Sequence, residues 1–418
     1  MTLFGTKPVP LPTGSWPARI GAIVIAVMFV FLLFQSRVGF VLARVQPDAA
    51  LAVASGNPEA LKGKIEYQLM RAKREDAAML SELSHRALRA EPYNPVALRT
   101  LGLFAAFEKK DAEADKLFSM AAKFSLRDLF THAWLFENRL STGRYAEAFS
   151  EADILLRQRS TNWDVVVPML AQRLKDPRVI DPMARMLATK PSWRGTLLLN
   201  LADEKVDLEA GHALLARLAT LGSPPTTEEA TPYFQRAAAE TRLPLLHRRW
   251  MAMLPRATRI KAGGLLRDGD FTGLDVPPPF GWRFFPDDGV IAEMGESLIP
   301  GQGSALYISY PGDKQVTFAE QQLVLPAGRY RFAGRATTDA ELTAGQIHWS
   351  LRCGRGSEER EIAKQPLSPG VDRPHRFTLA FDVPAGCVGP KLSLIGFRSD
   401  TLESANLWVD ALTVTRAP

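Results

Sequence analysis

Two sets of side chains in the C-terminal part of this sequence have types and spacing that could support chemistry. Carboxylates lie close together at Asp287-Asp288 and at Glu293 and Glu296. Glycoside hydrolysis needs two carboxyl groups at a defined separation across a cleft, which sequence alone does not give. His348 could line a sheet face together with Arg331 and Arg352, as in a polysaccharide lyase site. A solvated loop is the simpler interpretation of the carboxylates.

Other catalytic signatures are missing from the sequence. It has no G-x-x-x-x-G-K, H-E-x-x-H, C-x-x-C or G-x-S-x-G motif, and its six histidines are dispersed. We therefore expect a protein without catalytic activity or cofactor. A hydrolase or lyase that acts on glycans remains the competing hypothesis.

The two cysteines, Cys353 and Cys387, are the only ones in the chain. Both lie in the region of alternating apolar residues, each at the end of a predicted strand. Two independent buried thiols would be compatible with this placement. Their location in one domain beyond a possible membrane anchor favours a disulfide, because such bonds persist in oxidising compartments.

Residues 264–418 have the period-2 pattern of β-strands. In "SALYISY" Leu306, Ile308 and Tyr310 share one face, and "QIHWSLRC", "HRFTLAFDV", "KLSLIGF" and "NLWVDALTV" alternate in the same way. Glycine- and proline-containing turns separate these segments, and no helical pattern intervenes. The sequence predicts an all-β antiparallel sandwich of eight to ten strands, a jelly roll.

The segments "LLRDGDFTG", "PPPFGWRF", "LVLPAGRYRF" and "LWVDALTV" resemble the galactose-binding-like β-sandwich of carbohydrate-binding modules. The resemblance implies a glycan site, which needs an exposed aromatic ring and planar polar groups nearby. Strand alternation places five candidates away from the core: Tyr307, Arg331, Arg335, His348 and Trp408. Trp349 shares a face with Ile347 and Leu351, so we expect it in the core.

Many modules of this type carry a structural calcium ion, held by the first and last strands. Asp270 and Asp410 match two of the ligand positions, but Thr272 stands where the family has a glutamate. Calcium takes six to eight oxygen ligands, so a site at Asp270 and Asp410 lacks part of its ligand set.

Residues 44–260 have helical periodicity, and part of this region repeats every 34 residues. Aligning Leu61–Asn94, Pro95–Asp128 and Leu129–Asn162 places small or apolar residues at positions 20 and 27: Leu80, Ala114, Ala148, Ala87, Ala121 and Leu155. With Leu101-Gly102 and Phe118, the pattern resembles the tetratricopeptide repeat, in which stacked helical hairpins form a solenoid. We expect an all-α solenoid with Arg99 on its solvated face; an unrelated helical bundle is the alternative.

The N-terminus contains an uncharged run, Ile20–Ser36, between Arg19 and Arg37. Seventeen helical residues span about 26 Å, near the lower limit for crossing a bilayer. We expect a short arm at residues 1–18 and a transmembrane signal anchor at residues 19–43, with the body on the periplasmic side of a bacterial inner membrane. A signal peptide cleaved near Ala43 is the alternative.

Charge is uneven along the chain. Residues 264–418 contain 15 Lys and Arg against 19 Asp and Glu, whereas the remainder contains 36 against 26. The basic part could contact acidic lipid or an acidic partner, but no basic run is interleaved with aromatics, so we expect no nucleic-acid binding. The sequence thus predicts a membrane-anchored scaffold in exopolysaccharide or cell-envelope assembly, with a protein or peptide on the solenoid and a glycan on the sandwich. A purely structural sandwich that binds nothing is a third possibility.

Overall fold

The computed structural model describes residues 20–30, 43, 46–71, 76–158, 163–274, 276–342, 345–354, 359–387, 389–398 and 405–417. The predicted arm at residues 1–18 lies outside these ranges, as do residue 19 and residues 31–42 of the predicted anchor. Residues 20–30 are helical (α1), and large apolar side chains are exposed there: Ile20, Ile23, Val24, Ile25, Val27, Met28, Phe29 and Val30. Within the described ranges, no helix combines the length and the apolar character needed to cross a membrane.

Contacts divide the chain into two compact units, Met1–Gln158 and Arg159–Pro418. The second unit contains helices as well as the strands. The predicted domain boundaries, residues 44–260 and 264–418, stay a prediction.

The first unit is helical and regular in its spacing. Its helices are α2 (Pro47–Val53), α3 (Pro58–Leu69), α4 (Ala77–Ala90), α5 (Pro95–Phe107), α6 (Asp111–Phe124), α7 (Leu129–Ser141) and α8 (Tyr145–Gln158). Helices α4, α6 and α8 begin 34 residues apart, and so do α5 and α7. Asn57, Asn94 and Asp128 cap α3, α5 and α7, each through a side-chain oxygen that accepts a backbone N–H.

Close helix crossings explain the small residues of the repeat. Ala114, Ala121 and Ala148 have no exposed surface. A Cβ added at Gly102 would lie 3.0 Å from the ring of Phe118, so these two positions pack directly against each other. The expectation that Arg99 is solvated is wrong, because its guanidinium is buried in an ion pair 2.6 Å from Asp128.

The second unit begins with further helices. They are α9 (Trp163–Arg173), α10 (Pro177–Ala188), α11 (Arg194–Leu199), α12 (Leu208–Thr220), α13 (Thr227–Glu240), α14 (Leu243–Met253) and α15 (Arg256–Lys261). Helix α13 starts with a capping box: the Thr226 hydroxyl accepts from the Glu229 N–H, and the Glu229 carboxylate accepts from the Thr226 N–H.

The strands that follow form a β-sandwich. They are β1 (Arg283–Phe284), β2 (Ile291–Glu296), β3 (Ser304–Tyr310), β4 (Val316–Gln322), β5 (Gly328–Thr338), β6 (Ile347–Cys353), β7 (Arg360–Pro366), β8 (Gly370–Val371), β9 (His375–Val383), β10 (Lys391–Gly396) and β11 (Ala405–Arg416). One sheet has the order β1-β4-β10-β6-β7; the other has the order β2-β3-β11-β5-β8, with β9 also paired to β5. The predicted sandwich is confirmed, but the described residues form eleven strands instead of eight to ten, and β8 pairs with β5 in parallel; the jelly-roll class stays a prediction.

The core lies between the two sheets, where the alternating residues meet. Leu306, Ile308, Tyr310, Trp349 and Leu351 are fully buried there, as their alternation predicts. Trp282 belongs to this core, and its ring is tilted against those of Phe271 and Trp349, with centroids 5.2 and 5.9 Å away.

Helix α14 packs on the sandwich within the second unit. Trp250 stacks on Phe280 at a centroid distance of 5.1 Å, and the Arg267 guanidinium lies 5.5 Å from the Trp250 ring. His247 Nε2 accepts a hydrogen bond of 2.7 Å from Arg267 Nη2. The stretch Arg267–Phe284 therefore joins the helices to the sandwich.

Candidate functional site

A row of side chains crosses the six-stranded sheet on its outer face, the side opposite to the core. Glu293 on β2 pairs with Tyr307 on β3, Tyr307 pairs with Trp408 on β11, and Trp408 pairs with Thr337 on β5. Tyr307 and Trp408 face outward because their strand neighbours Leu306 and Leu407 face the core and are fully buried, whereas Thr337 at the end of the row is itself buried.

Tyr307 and Trp408 form an aromatic pair in this row. Their ring centroids are 5.2 Å apart with the planes inclined by 43°, and both side chains are partly exposed. The Tyr307 hydroxyl donates to Asn406 Oδ1 at 3.0 Å, and Asn406 Nδ2 donates to Asp339 Oδ2 at 2.6 Å. These bonds fix the orientation of the Tyr307 ring, so the pair presents a preformed apolar surface edged by amide and carboxylate groups.

The next row along the strands carries charge. Asp410 on β11 pairs with Arg335 on β5, which pairs with Arg376 on β9; we call these three residues the charged row. Arg335 donates to the Asp410 carboxylate through Nε at 2.8 Å and Nη2 at 3.2 Å. Positions two apart on a strand are separated by about 7 Å, so this row borders the aromatic pair.

The structure brings together three of the five predicted glycan-binding residues. Tyr307, Trp408 and Arg335 are neighbours, and Arg331 is exposed on the same face of β5, farther along the strand. His348 does not join them. It lies on β6 in the five-stranded sheet, is 1% exposed, and stacks on Phe397 at 4.9 Å. Burial lowers the pKa of His348 below its ordinary value.

The possible calcium ligands are in different environments. Asp410 is held by both nitrogens of Arg335, and Asp270 is exposed. Across the described ranges, no group of three or more His, Cys, Asp or Glu side chains could hold a metal ion. A calcium site at Asp270 and Asp410 stays a prediction.

The predicted disulfide is confirmed. Cys353, the last residue of β6, is bonded to Cys387 in the loop before β10, with a Cα–Cα distance of 5.8 Å. The bond closes a segment with a sequence separation of 34 residues.

The carboxylates considered for catalysis have ordinary structural contacts. Asp287 forms an ion pair of 2.8 Å with Lys314, and this hydrogen bond lowers the pKa of Asp287. A general acid requires the opposite shift, a raised pKa. Glu293 and Glu296 are exposed on β2, and Glu293 borders the aromatic pair.

A cavity of about 420 Å³ lies beside the loop that precedes β1, with Thr227, Asp268, Trp282 and Met294 in its wall. Asp268 already accepts hydrogen bonds from the Thr272 hydroxyl and from three backbone N–H groups of the loop. The Trp282 indole N–H donates to the Asp268 carbonyl at 3.0 Å. These hydrogen bonds hold the loop in place.

Sequence reasoning missed Asn406, Asp339 and Arg376. Asn406 is two residues before Trp408 and therefore shares its outward face, a signal that alternation could have given. Asp339 and Arg376 reach the site through strand pairing between distant segments, which alternation does not specify.

No protein-family model matches this sequence, and no curated protein is significantly similar to it. Among solved structures, a "Family 16 Carbohydrate Binding Module-2" is similar at 18% identity and a TM-score of 0.27, over 37% of this chain and 100% of that one. A putative sugar binding protein from Bacteroides thetaiotaomicron is similar at 9% identity and a TM-score of 0.26, over 33% and 88%. A CBM22-2 xylan-binding domain from Paenibacillus barcinonensis is similar at 15% identity and a TM-score of 0.26, over 32% and 91%. At such TM-scores and identities, these similarities assign neither a ligand nor an activity to this chain.

Proposed function

We propose that this protein is a non-catalytic glycan-binding scaffold whose sandwich binds a polysaccharide on the outer face of the six-stranded sheet. The observation that carries the proposal is the partly exposed aromatic pair, Tyr307 and Trp408, with the Tyr307 hydroxyl fixed by Asn406. Tyr and Trp are enriched at interfaces, because they combine a large apolar ring with a polar group that can form a hydrogen bond.

The chemistry of the pair suits a sugar. The C–H face of a pyranose ring packs on an aromatic face, while hydroxyl groups bond to planar polar groups at its edge. Here Asn406, Asp339 and Arg335 supply those groups beside the rings. The site is an open sheet face, so we expect weak binding, in the millimolar range or about −4 kcal/mol.

A glycan array tests this proposal. We expect the full-length protein to bind a restricted set of polysaccharides and a Tyr307→Phe variant, which loses only the hydroxyl, to bind them more weakly. Tyr307→Ala should lose them altogether. An exposed control on the other sheet, Lys364→Ala, should retain them. Absence of binding to every glycan, or equal binding by Tyr307→Ala, would refute glycan recognition here.

We further propose that residues 19–43 anchor the protein in a bacterial inner membrane, with its body in the periplasm. The uncharged run Ile20–Ser36 and the exposed apolar side chains of α1 support this proposal. Alkaline phosphatase fused after Pro418 should be active. A mature N-terminus at Arg44 would contradict the anchor.

The helical hairpins of the first unit would bind a protein or peptide, as tetratricopeptide-like repeats do. The 34-residue spacing of the helix starts and the Gly102–Phe118 packing support this assignment. Together with the sandwich, these hairpins suggest a role in exopolysaccharide or cell-envelope assembly. Co-purification from detergent-solubilised membranes should identify the partner; recovery of the same proteins with residues 46–158 deleted would contradict binding through this unit.

A structural role is the second candidate, and the contact between α14 and the sandwich favours it. Trp250, Phe280 and Arg267 are almost fully buried there. This contact does not involve Tyr307 or Trp408. The glycan array therefore distinguishes the two candidates: a glycan-binding sandwich binds in the array, and a purely structural one does not.

A further inference from the structure

The charged row contains two positive side chains, Arg335 and Arg376, and one negative side chain, Asp410. Arg335 and Arg376 lie directly opposite each other on β5 and β9, so their Cβ atoms are about 5 Å apart. Asp410 binds Arg335 from the other side with two hydrogen bonds. Arg376 is exposed and makes no ion pair with any described residue. One positive charge therefore remains at this point of the sheet.

Like charges placed directly opposite each other destabilise a sheet pairing. An anion between the two guanidinium groups would relieve that repulsion, and guanidinium binds carboxylate with two parallel hydrogen bonds. Such an anion would lie two residues, about 7 Å, along the strands from the row that holds the aromatic pair, and between one and two strand spacings of about 4.8 Å across the sheet from Trp408.

The other border of the aromatic pair has the opposite charge. Glu293 is exposed directly across from Tyr307, and the Asp339 carboxylate is bonded to Asn406. A ligand carboxylate would be repelled from Glu293 and attracted to the arginine side. The charge distribution thus favours one orientation of a ligand that bears a carboxylate on or beside the stacked ring.

We propose that Arg335 and Arg376 form an anion subsite that selects uronic-acid-containing polysaccharides, with one sugar ring stacked on the aromatic pair and the carboxylate of a neighbouring uronate residue of the same chain between the two guanidinium groups. This inference rests on the proposed function and names its substrate class. It gives Arg376 a role in specificity and Asp410 the role of orienting Arg335.

The test compares each acidic polymer with its own neutral counterpart. Polygalacturonate and alginate are titrated into the full-length protein in detergent at 0.15 M salt, in parallel with the same polymers after chemical reduction of the carboxyl groups to alcohols. We expect at least one uronate polymer to bind about tenfold more tightly than its reduced form, since a hydrogen bond to a charged group supplies that much. Arg376→Gln should abolish this preference, because binding of the uronate polymer weakens towards that of its reduced form.

Arg329→Gln is the matched control. Arg329 is exposed on the same strand and face, faces Asp382, and lies about 20 Å from Arg335. The Arg329→Gln variant should retain the preference for the uronate polymer. A general effect of surface charge would instead remove the preference in both Arg329→Gln and Arg376→Gln.

Equal binding of acidic and reduced polymers, or a preference that Arg376→Gln leaves intact, would overturn the anion subsite and leave glycan binding standing. Loss of the preference in both variants would also overturn it, in favour of non-specific attraction. If none of these polymers binds but the glycan array yields a neutral ligand, the anion subsite alone is overturned. If the array also yields no ligand, both the subsite and the proposed function are overturned.

Discussion

Removing the Trp250 side chain should destabilise the helices and the sandwich of the second unit together. Trp250 is 1% exposed and contacts Phe280, while Arg267 lies over its ring. Its indole nitrogen makes no hydrogen bond among the described residues, so the loss is one of packing and ring contacts. Truncation of a buried Trp to Ala costs about 3–5 kcal/mol.

That cost can be converted into a melting temperature. For a domain of 150–250 residues, 1 kcal/mol lowers Tm by about 2–4 °C, so Trp250→Ala should lower it by about 6–20 °C. The assay is scanning calorimetry with hydrogen exchange on α14 and on β4, whose Gln322 carbonyl accepts a hydrogen bond from Arg267. We expect exchange to increase in both elements.

Trp408→Ala is the matched control, because it removes the same indole from a partly exposed position. Its effect on stability should be at most about 1 kcal/mol. A Trp250→Ala protein that melts within 2 °C of the parent would refute the packing account. So would a transition in which only the helices lose protection.

Three further predictions concern other parts of the molecule. Ala121→Trp should lower the free energy of unfolding by about 1–3 kcal/mol or more in urea titrations, because this fully buried position lies at a helix crossing. Non-reduced peptide mapping by mass spectrometry should find Cys353 linked to Cys387; reducing the bond should cost about 3–4 kcal/mol by chain entropy. Burial, with a smaller contribution from Arg267, lowers the pKa of His247 to about 4, against about 6.5 when unfolded. This stabilisation is complete above pH 6.5 and is lost as the pH falls towards 4, by about 1–3 kcal/mol for a half-buried ring.

Each of the three has a control. Lys123→Ala, an exposed position on the same helix as Ala121, should melt like the parent, and an Ala121→Trp protein that does so would contradict the repeat packing. Alkylation of both cysteines in the native, unreduced protein would refute the disulfide. For His247, the loss of stability between pH 6.5 and pH 4 should be smaller in His247→Gln than in the parent; equal losses would contradict the assignment.

Alternation predicted the strands because side chains on a strand alternate between core and solvent, and it therefore placed Trp349 in the core and Tyr307 outside it. It did not predict that β6 would be covered on both faces, and His348 was assigned outward for that reason. Whether the second face of a strand is also buried depends on segments that are distant in sequence, and a local pattern of residues does not contain that information.

The same limit applies to charged residues. Arg99 has a sequence position typical of a solvated helix face, but Asp128, 29 residues later, buries it in an ion pair. Arg376 enters the site only because β9 pairs with β5 in one register. Trp250 lies on a helix and packs on Phe280 in the loop before β1; apolar periodicity identifies a buried residue without identifying its partner.

The most direct test of the glycan site observes Trp408 itself. The protein has eight Trp residues, so a ¹⁵N-labelled sample gives few indole N–H signals, and the one that disappears in Trp408→Phe belongs to this residue. On titration with the polysaccharide selected by the array, we predict that the Trp408 signal shifts in a saturable manner while those of the buried Trp250 and Trp349 stay in place. A shift confined to other Trp residues, or no shift while binding is measured independently, would contradict glycan binding at the aromatic pair.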